Sequence, residues 1–135
     1  TSSFVEGVSN FSFNSLTFCG HPSMSTKYIN PALGRFEPDL DVALHDADVV
    51  MTLRIQYERF EETLNLDLEE YKQAYELTSE RLEQAKGDAI VMHPGPVNYI
   101  EISESVYQCD QSVIRTQIAN GVAIRMAVLS RFLSS

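Results

Sequence analysis

Two short apolar runs constrain the fold of this 135-residue chain most: Val49-Val50-Met51 and Ala89-Ile90-Val91-Met92, each bounded by polar or turn-forming residues and too short for a helix. Buried β-strands fit them best. Between them Leu68, Tyr71, Tyr75 and Leu82 recur at roughly helical spacing among Glu, Lys and Gln, and Gly87 after Lys86 is a helix C-terminal signal. The Leu77-Thr78-Ser79 step divides this stretch into two helices, with Thr78 or Ser79 capping the second. Strand, helical crossover and strand make a βαβ unit, which pairs its strands in parallel through a right-handed connection.

Other elements follow by the same reasoning. Asp39 to His45, after Pro38, reads as a short helix leading into the first strand, and the β-formers from Leu16 to Cys19, ahead of Gly20 and Pro22, as a further strand. Ile114, Ile118, Val122, Met126, Leu129 and Leu133 fall at helical spacing, which predicts one long helix from Ser112 to Phe132, opened by Asp110 or Gln111. Gly121 in its interior predicts a close packing neighbour or a bend. The expected fold class is α/β: a parallel sheet with helices on both faces.

Charge is unevenly spread. The chain carries 19 acidic against 10 basic residues, and Glu37 to Asp88 holds 15 of the acids with only five bases. That excess argues against nucleic acid as a partner, and the acidic block reads as the solvated outer face of helices. No apolar run approaches the roughly 20 residues that span a bilayer, so no membrane partner is expected. Cys19 and Cys109 are too few and too far apart for a disulfide framework, which makes a reducing, cytoplasmic setting the simpler assumption.

In a parallel α/β sheet, ligands bind beyond the carboxyl ends of the strands. The first run is followed by Thr52-Leu53-Arg54-Ile55-Gln56-Tyr57-Glu58-Arg59 and the second by His93-Pro94-Gly95-Pro96-Val97-Asn98, and both sets should meet at one edge. If the chain stays extended, Arg54 and Gln56 point the same way and offer a guanidinium fork and an amide to an anion, with Glu58 anchoring Arg54 or pairing with Arg59. A structural ion pair is the competing reading of Arg54. Pro94-Gly95-Pro96 forms a rigid turn that exposes main-chain carbonyls, with Gly95-Pro96 a candidate cis bond; a plain strand-ending turn is the alternative. His93 reads as a hydrogen-bonded strand-end histidine rather than a catalyst. His21 and His45 have no partner at metal-ligand spacing, so no metal is expected, and the chain has neither a Gly-rich phosphate loop nor a nucleophile elbow.

These segments resemble the aspartate-binding half of an aspartate carbamoyltransferase. Thr52 to Arg59 resembles that family's Leu-Arg-Val-Gln-x-Glu-Arg segment after a strand ending in Asp-Val-Val-Met, and Asp67-Leu68-Glu69-Glu70-Tyr71, Met92-His93-Pro94-Gly95-Pro96-Val97-Asn98 and Gln117 to Leu129 continue the likeness in order. The sister family using ornithine carries His-Cys-Leu-Pro at the turn and lacks the Arg-x-Gln-x-Glu-Arg run. The match is weak over residues 1–36, where Gly7-Val8-Ser9-Asn10 lacks the arginine of the family's Ser-Arg-Val-Ala segment; Asn98-Tyr99-Ile100-Glu101 is also one residue shorter than the family pattern.

The resemblance implies a three-layer Rossmann-like domain and transfer of a carbamoyl group from carbamoyl phosphate to L-aspartate in pyrimidine biosynthesis, without metal or organic cofactor. It implies that Arg54 and Gln56 hold the aspartate side-chain carboxylate, that Glu58 orients Arg54, and that the Gly95 and Pro96 carbonyls face the carbamoyl nitrogen and the incoming amine. The implied partners are the carbamoyl-phosphate-binding domain, absent from this chain, and like chains in a homotrimer. A non-catalytic binding or regulatory relative is the alternative. The family's closing helix packs on the other domain, so the stripe near Met126, Leu129 and Leu133 is expected to be exposed here.

Overall fold

Local capping chemistry places most of the helices. In the computed structural model, which describes residues 7, 10, 14–22, 32–55 and 67–133, Asp39 caps α1 (Leu40–Leu44), its carboxylate accepting from the backbone N–H of Asp41 at 2.9 Å and of Val42 at 3.3 Å. The crossover divides as the sequence predicts. Asp67 caps α2 (Leu68–Tyr75), and the Thr78 hydroxyl caps α3 (Ser79–Leu82) by accepting from Arg81 N–H at 3.4 Å. Arg81 joins the pieces: its Nη1 and Nη2 donate to the Glu76 and Gln73 carbonyls at 3.0 and 2.9 Å, and its Nε meets Asp41 of α1 at 3.2 Å. The second helix stops at Leu82 and does not run on to Gly87. Downstream of it the backbone turns to the strand entry instead, with Lys86 N–H donating to the Ala47 carbonyl and Gln84 C=O accepting from Asp46 N–H.

The two apolar runs become β3 (Val49–Met51) and β4 (Ile90–Met92), paired in parallel with Val49 opposite Ile90 and Met51 opposite Met92, the βαβ unit expected. On its other side Val91 bridges to Ser112, donating to the Gln111 carbonyl at 2.8 Å and accepting from Val113 N–H at 3.0 Å. The long helix α5 (Ile114–Leu133) therefore begins two residues later than expected, because the Gln111 carbonyl and the Val113 N–H are taken up by Val91 of β4. Upstream, β1 (Thr17–Cys19) pairs in parallel with β2 (Arg35–Glu37). Neither β2 nor α4 (Glu104–Gln108), capped by Ser103, was anticipated from the sequence.

Among the described residues the strands form two two-stranded parallel sheets flanked by helices, and the α/β class holds. Burial of the strands is less complete than expected: Val91 is fully enclosed, whereas Val49 and Ile90 remain exposed, since the side chains of adjacent strand positions point to opposite faces. The core gathers Leu44, Leu77, Leu82, Ala85, Ala89, Val91, Ile102, Val106 and Ile114 around β4.

Only the first turn of α5 enters that core, through Ile114. Met126, Leu129 and Leu133 are 66%, 60% and 84% exposed, as the resemblance implied. A Cβ added to Gly121 would meet only the Arg125 guanidinium, at 3.9 Å, so among the described residues the expected close neighbour is not there. Leu129→Glu is accordingly expected to reduce self-association in sedimentation while leaving stability within about 0.5 kcal/mol, as for an ordinary surface change. A fall in melting temperature of more than about 5 °C would show the side chain to be packed in the interior. No helix among the described residues is long and apolar enough to cross a membrane.

Candidate substrate site at the strand exits

The chain leaving β3 and the chain leaving β4 stay together beyond their strands. Thr52 N–H donates to the Met92 carbonyl at 3.0 Å, and three residues on, the Ile55 carbonyl accepts from Asn98 Nδ2 at 3.2 Å. Between these two links lies Arg54. Its side chain is exposed and makes neither hydrogen bond nor ion pair with the described residues, while Glu58, its partner in the competing ion-pair reading, lies outside them. The exit of β4 carries the Pro94-Gly95-Pro96 turn, with a cis Gly95-Pro96 peptide, the first of the two readings the sequence left open. Gly95 has φ 71°, and a Cβ there would approach Ile118 Cδ1 to 3.1 Å, so both backbone and space call for glycine. Among the described residues neither the Gly95 nor the Pro96 carbonyl accepts a hydrogen bond. Two carbonyls and a guanidinium, each without a hydrogen-bond partner among the described residues, thus lie on neighbouring exits of one parallel pair.

A buried pair underpins the turn. His93 is 0% exposed and Glu101 only 4%. The Gly95 N–H donates to His93 Nδ1 at 2.8 Å, and because a backbone amide can only donate, Nδ1 is the acceptor and the ring proton resides on Nε2. That Nε2–H donates to Glu101 Oε1 at 2.9 Å, which also accepts from Asn98 N–H at 3.4 Å. Glu101 Oε2 is enclosed and, among the described residues, without a hydrogen-bond partner. From α5, Gln117 Oε1 accepts the His93 backbone N–H at 2.8 Å. Both ring nitrogens are engaged in holding backbone and carboxylate, which agrees with the reading of His93 as a strand-end histidine.

The profile of a family described as "Aspartate/ornithine carbamoyltransferase, Asp/Orn binding domain" matches residues 3–132. The chain belongs to this carbamoyltransferase family. Over 92 residues, 67% of its length, it is 53% identical to the aspartate carbamoyltransferase catalytic subunit of Citrifermentans bemidjiense, and it spans only 30% of that relative. A structure of Trypanosoma cruzi aspartate transcarbamoylase in complex with N-(phosphonacetyl)-L-aspartic acid is similar with a TM-score of 0.61 and 32% identity, over 72% of this chain and 30% of that one. The ornithine carbamoyltransferase of Burkholderia thailandensis shares the fold, with a TM-score of 0.66 at 18% identity over 85% of this chain and 37% of that one.

Of the residues singled out in this carbamoyltransferase-family sequence, Arg54, Gly95 and Pro96 lie on the two linked exits, while Gln56 and Glu58 fall outside the described residues. Asn98, Glu101 and Gln117 were missed. The signal for Glu101 was a lone acid next to Ile102 in an apolar setting, and for Asn98 a turn-forming residue just after Pro96-Val97. Both cysteines are free thiols.

Proposed function

We propose that this chain supplies the aspartate-binding half of an aspartate carbamoyltransferase. In the reaction the amine of L-aspartate attacks the carbonyl carbon of carbamoyl phosphate. The new C–N bond forms, the bond from that carbon to the phosphate oxygen breaks, phosphate leaves and the amine gives up a proton, yielding N-carbamoyl-L-aspartate for pyrimidine synthesis. The observation that carries this reading is that, in a member of this family, the exit carrying Arg54 is linked to the exit carrying the Gly95 and Pro96 carbonyls, and none of the three groups has a hydrogen-bond partner among the described residues.

Arg54 and Gln56 bind the aspartate side-chain carboxylate, the guanidinium supplying a two-pronged charge-assisted contact and Glu58 restraining its rotamer. The Gly95 and Pro96 carbonyls accept N–H bonds from the carbamoyl nitrogen and the incoming amine, aligning nucleophile and electrophile. Rate enhancement then rests on proximity and on stabilising the tetrahedral oxyanion, with no metal or organic cofactor involved. The His93-Pro94-Gly95-Pro96 run and the Arg54-x-Gln56-x-Glu58-Arg59 pattern favour aspartate over ornithine. Its partners are a carbamoyl-phosphate-binding domain and like chains in a cytoplasmic homotrimer.

The 135-residue chain by itself is expected to give carbamoyl transfer at background, because it has no phosphate-binding segment. Exchanged for the matching 92-residue stretch of the Citrifermentans enzyme, its aligned residues should restore aspartate-dependent formation of carbamoyl aspartate. A graft that is folded yet inactive with aspartate, or one that prefers ornithine, would sink this reading.

A further inference from the structure

The substrate-facing groups of the proposed site come from two segments of chain that share no strand hydrogen bond where it matters. Arg54 lies beyond the end of β3 and the open carbonyls lie in the turn after β4. Beyond Thr52 the hydrogen-bond link between these segments, among the described residues, is one side chain, Asn98, whose Nδ2 donates to the Ile55 carbonyl at 3.2 Å. Asn98 is itself fixed from two sides. Its Oδ1 accepts from Ile100 N–H at 3.3 Å, and its own N–H donates at 3.4 Å to Glu101 Oε1, the oxygen that also takes the His93 Nε2 proton. His93 in turn holds Gly95 N–H. A continuous run of hydrogen bonds thus leads from Gly95, through the buried His93 and Glu101, to Asn98 and across to the carbonyl that follows Arg54.

We propose that Asn98 is a positioning residue, setting the distance between the Arg54 guanidinium and the Gly95 and Pro96 carbonyls by tying Ile55 to the turn anchored on His93 and Glu101. This deepens the proposed function and rests on it. Asn98 touches no reacting atom. Ile55 is buried, at 6% exposure, while Arg54 before it is exposed; the contribution of Asn98 is to hold the backbone between them within the tolerance that a near-attack geometry demands, where an error of about 1 Å costs on the order of a hundredfold in rate. An amide suits the task because it donates and accepts at once: one end makes the local turn to Ile100, the other reaches across.

Asn98→Ser separates the two roles. A serine hydroxyl still accepts from Ile100 N–H in a short turn but cannot reach the Ile55 carbonyl, and it adds no charge that would itself repel an anionic substrate. In the full 135-residue chain, nuclear Overhauser contacts between Ile55 and residue 98 should disappear in Asn98→Ser, while those within the 98–101 turn persist and the melting temperature stays within about 2 °C of the parent. In the graft described above, the same change should raise KM for aspartate about tenfold and leave KM for carbamoyl phosphate unmoved, a split that a purely structural role in the turn would not produce. Retention of the cross-segment contacts, or an unchanged KM for aspartate in an active graft, overturns the proposal. An inactive parent graft would instead strike at the functional reading, and the contact measurement on the chain alone would still decide whether Asn98 tethers the two segments.

Discussion

His93→Leu is expected to destabilise the chain by on the order of 3–5 kcal/mol, the largest effect of any single change at the site. The substitution removes the acceptor of the Gly95 N–H and the donor to Glu101 together. Glu101, only 4% exposed and already carrying one oxygen with no partner among the described residues, would then keep only the long bond from Asn98 N–H. An enclosed carboxylate so poorly served is costly, whereas two apolar side chains in the same volume are not. His93→Leu combined with Glu101→Leu should therefore recover most of the loss, although each single change is severe. Thermal melts of the two single variants and the double variant form a cycle whose coupling reads this directly. For a domain of this size the single variants should lose roughly 10–20 °C. Single losses below about 1 kcal/mol, or a double variant as unstable as the sum, would contradict the account.

The second large effect concerns substrate. In the active graft, Arg54→Ala should lower kcat/KM for aspartate by about a hundredfold or more, the loss of a charge-assisted bidentate contact of about 3 kcal/mol. The melting temperature should not move, because Arg54 is exposed and bonds to none of the described residues. Arg54→Lys should restore little, since an ammonium does not reproduce the planar fork. KM for carbamoyl phosphate, whose phosphate is held elsewhere, should stay at the parent value. A change in kcat/KM for aspartate of less than about threefold would remove Arg54 from the site.

The sequence by itself determined what depends on a few neighbouring residues. The apolar runs and the intervening helical period gave the parallel βαβ unit, and the Leu77-Thr78-Ser79 step the break between α2 and α3, whereas the choice between a cis Gly95-Pro96 bond and a plain turn was settled only in the folded chain. The apolar period of α5 placed the helix but overshot its start, because Gln111 to Val113 satisfy their backbone groups on Val91, some twenty residues away in the chain. Arg35-Phe36-Glu37 has no pattern of its own and becomes a strand only because Thr17 to Cys19 lies beside it. The same limit governs the site. Arg54, Gly95 and Pro96 were legible from the rule that ligands gather beyond strand ends. That Asn98 reaches Ile55, a separation of 43 residues, and that Glu101 is driven into the interior against His93, followed only from packing. A side chain's hydrogen-bond partner is set by which groups burial removes from water and brings within reach, and no local period or cap encodes that.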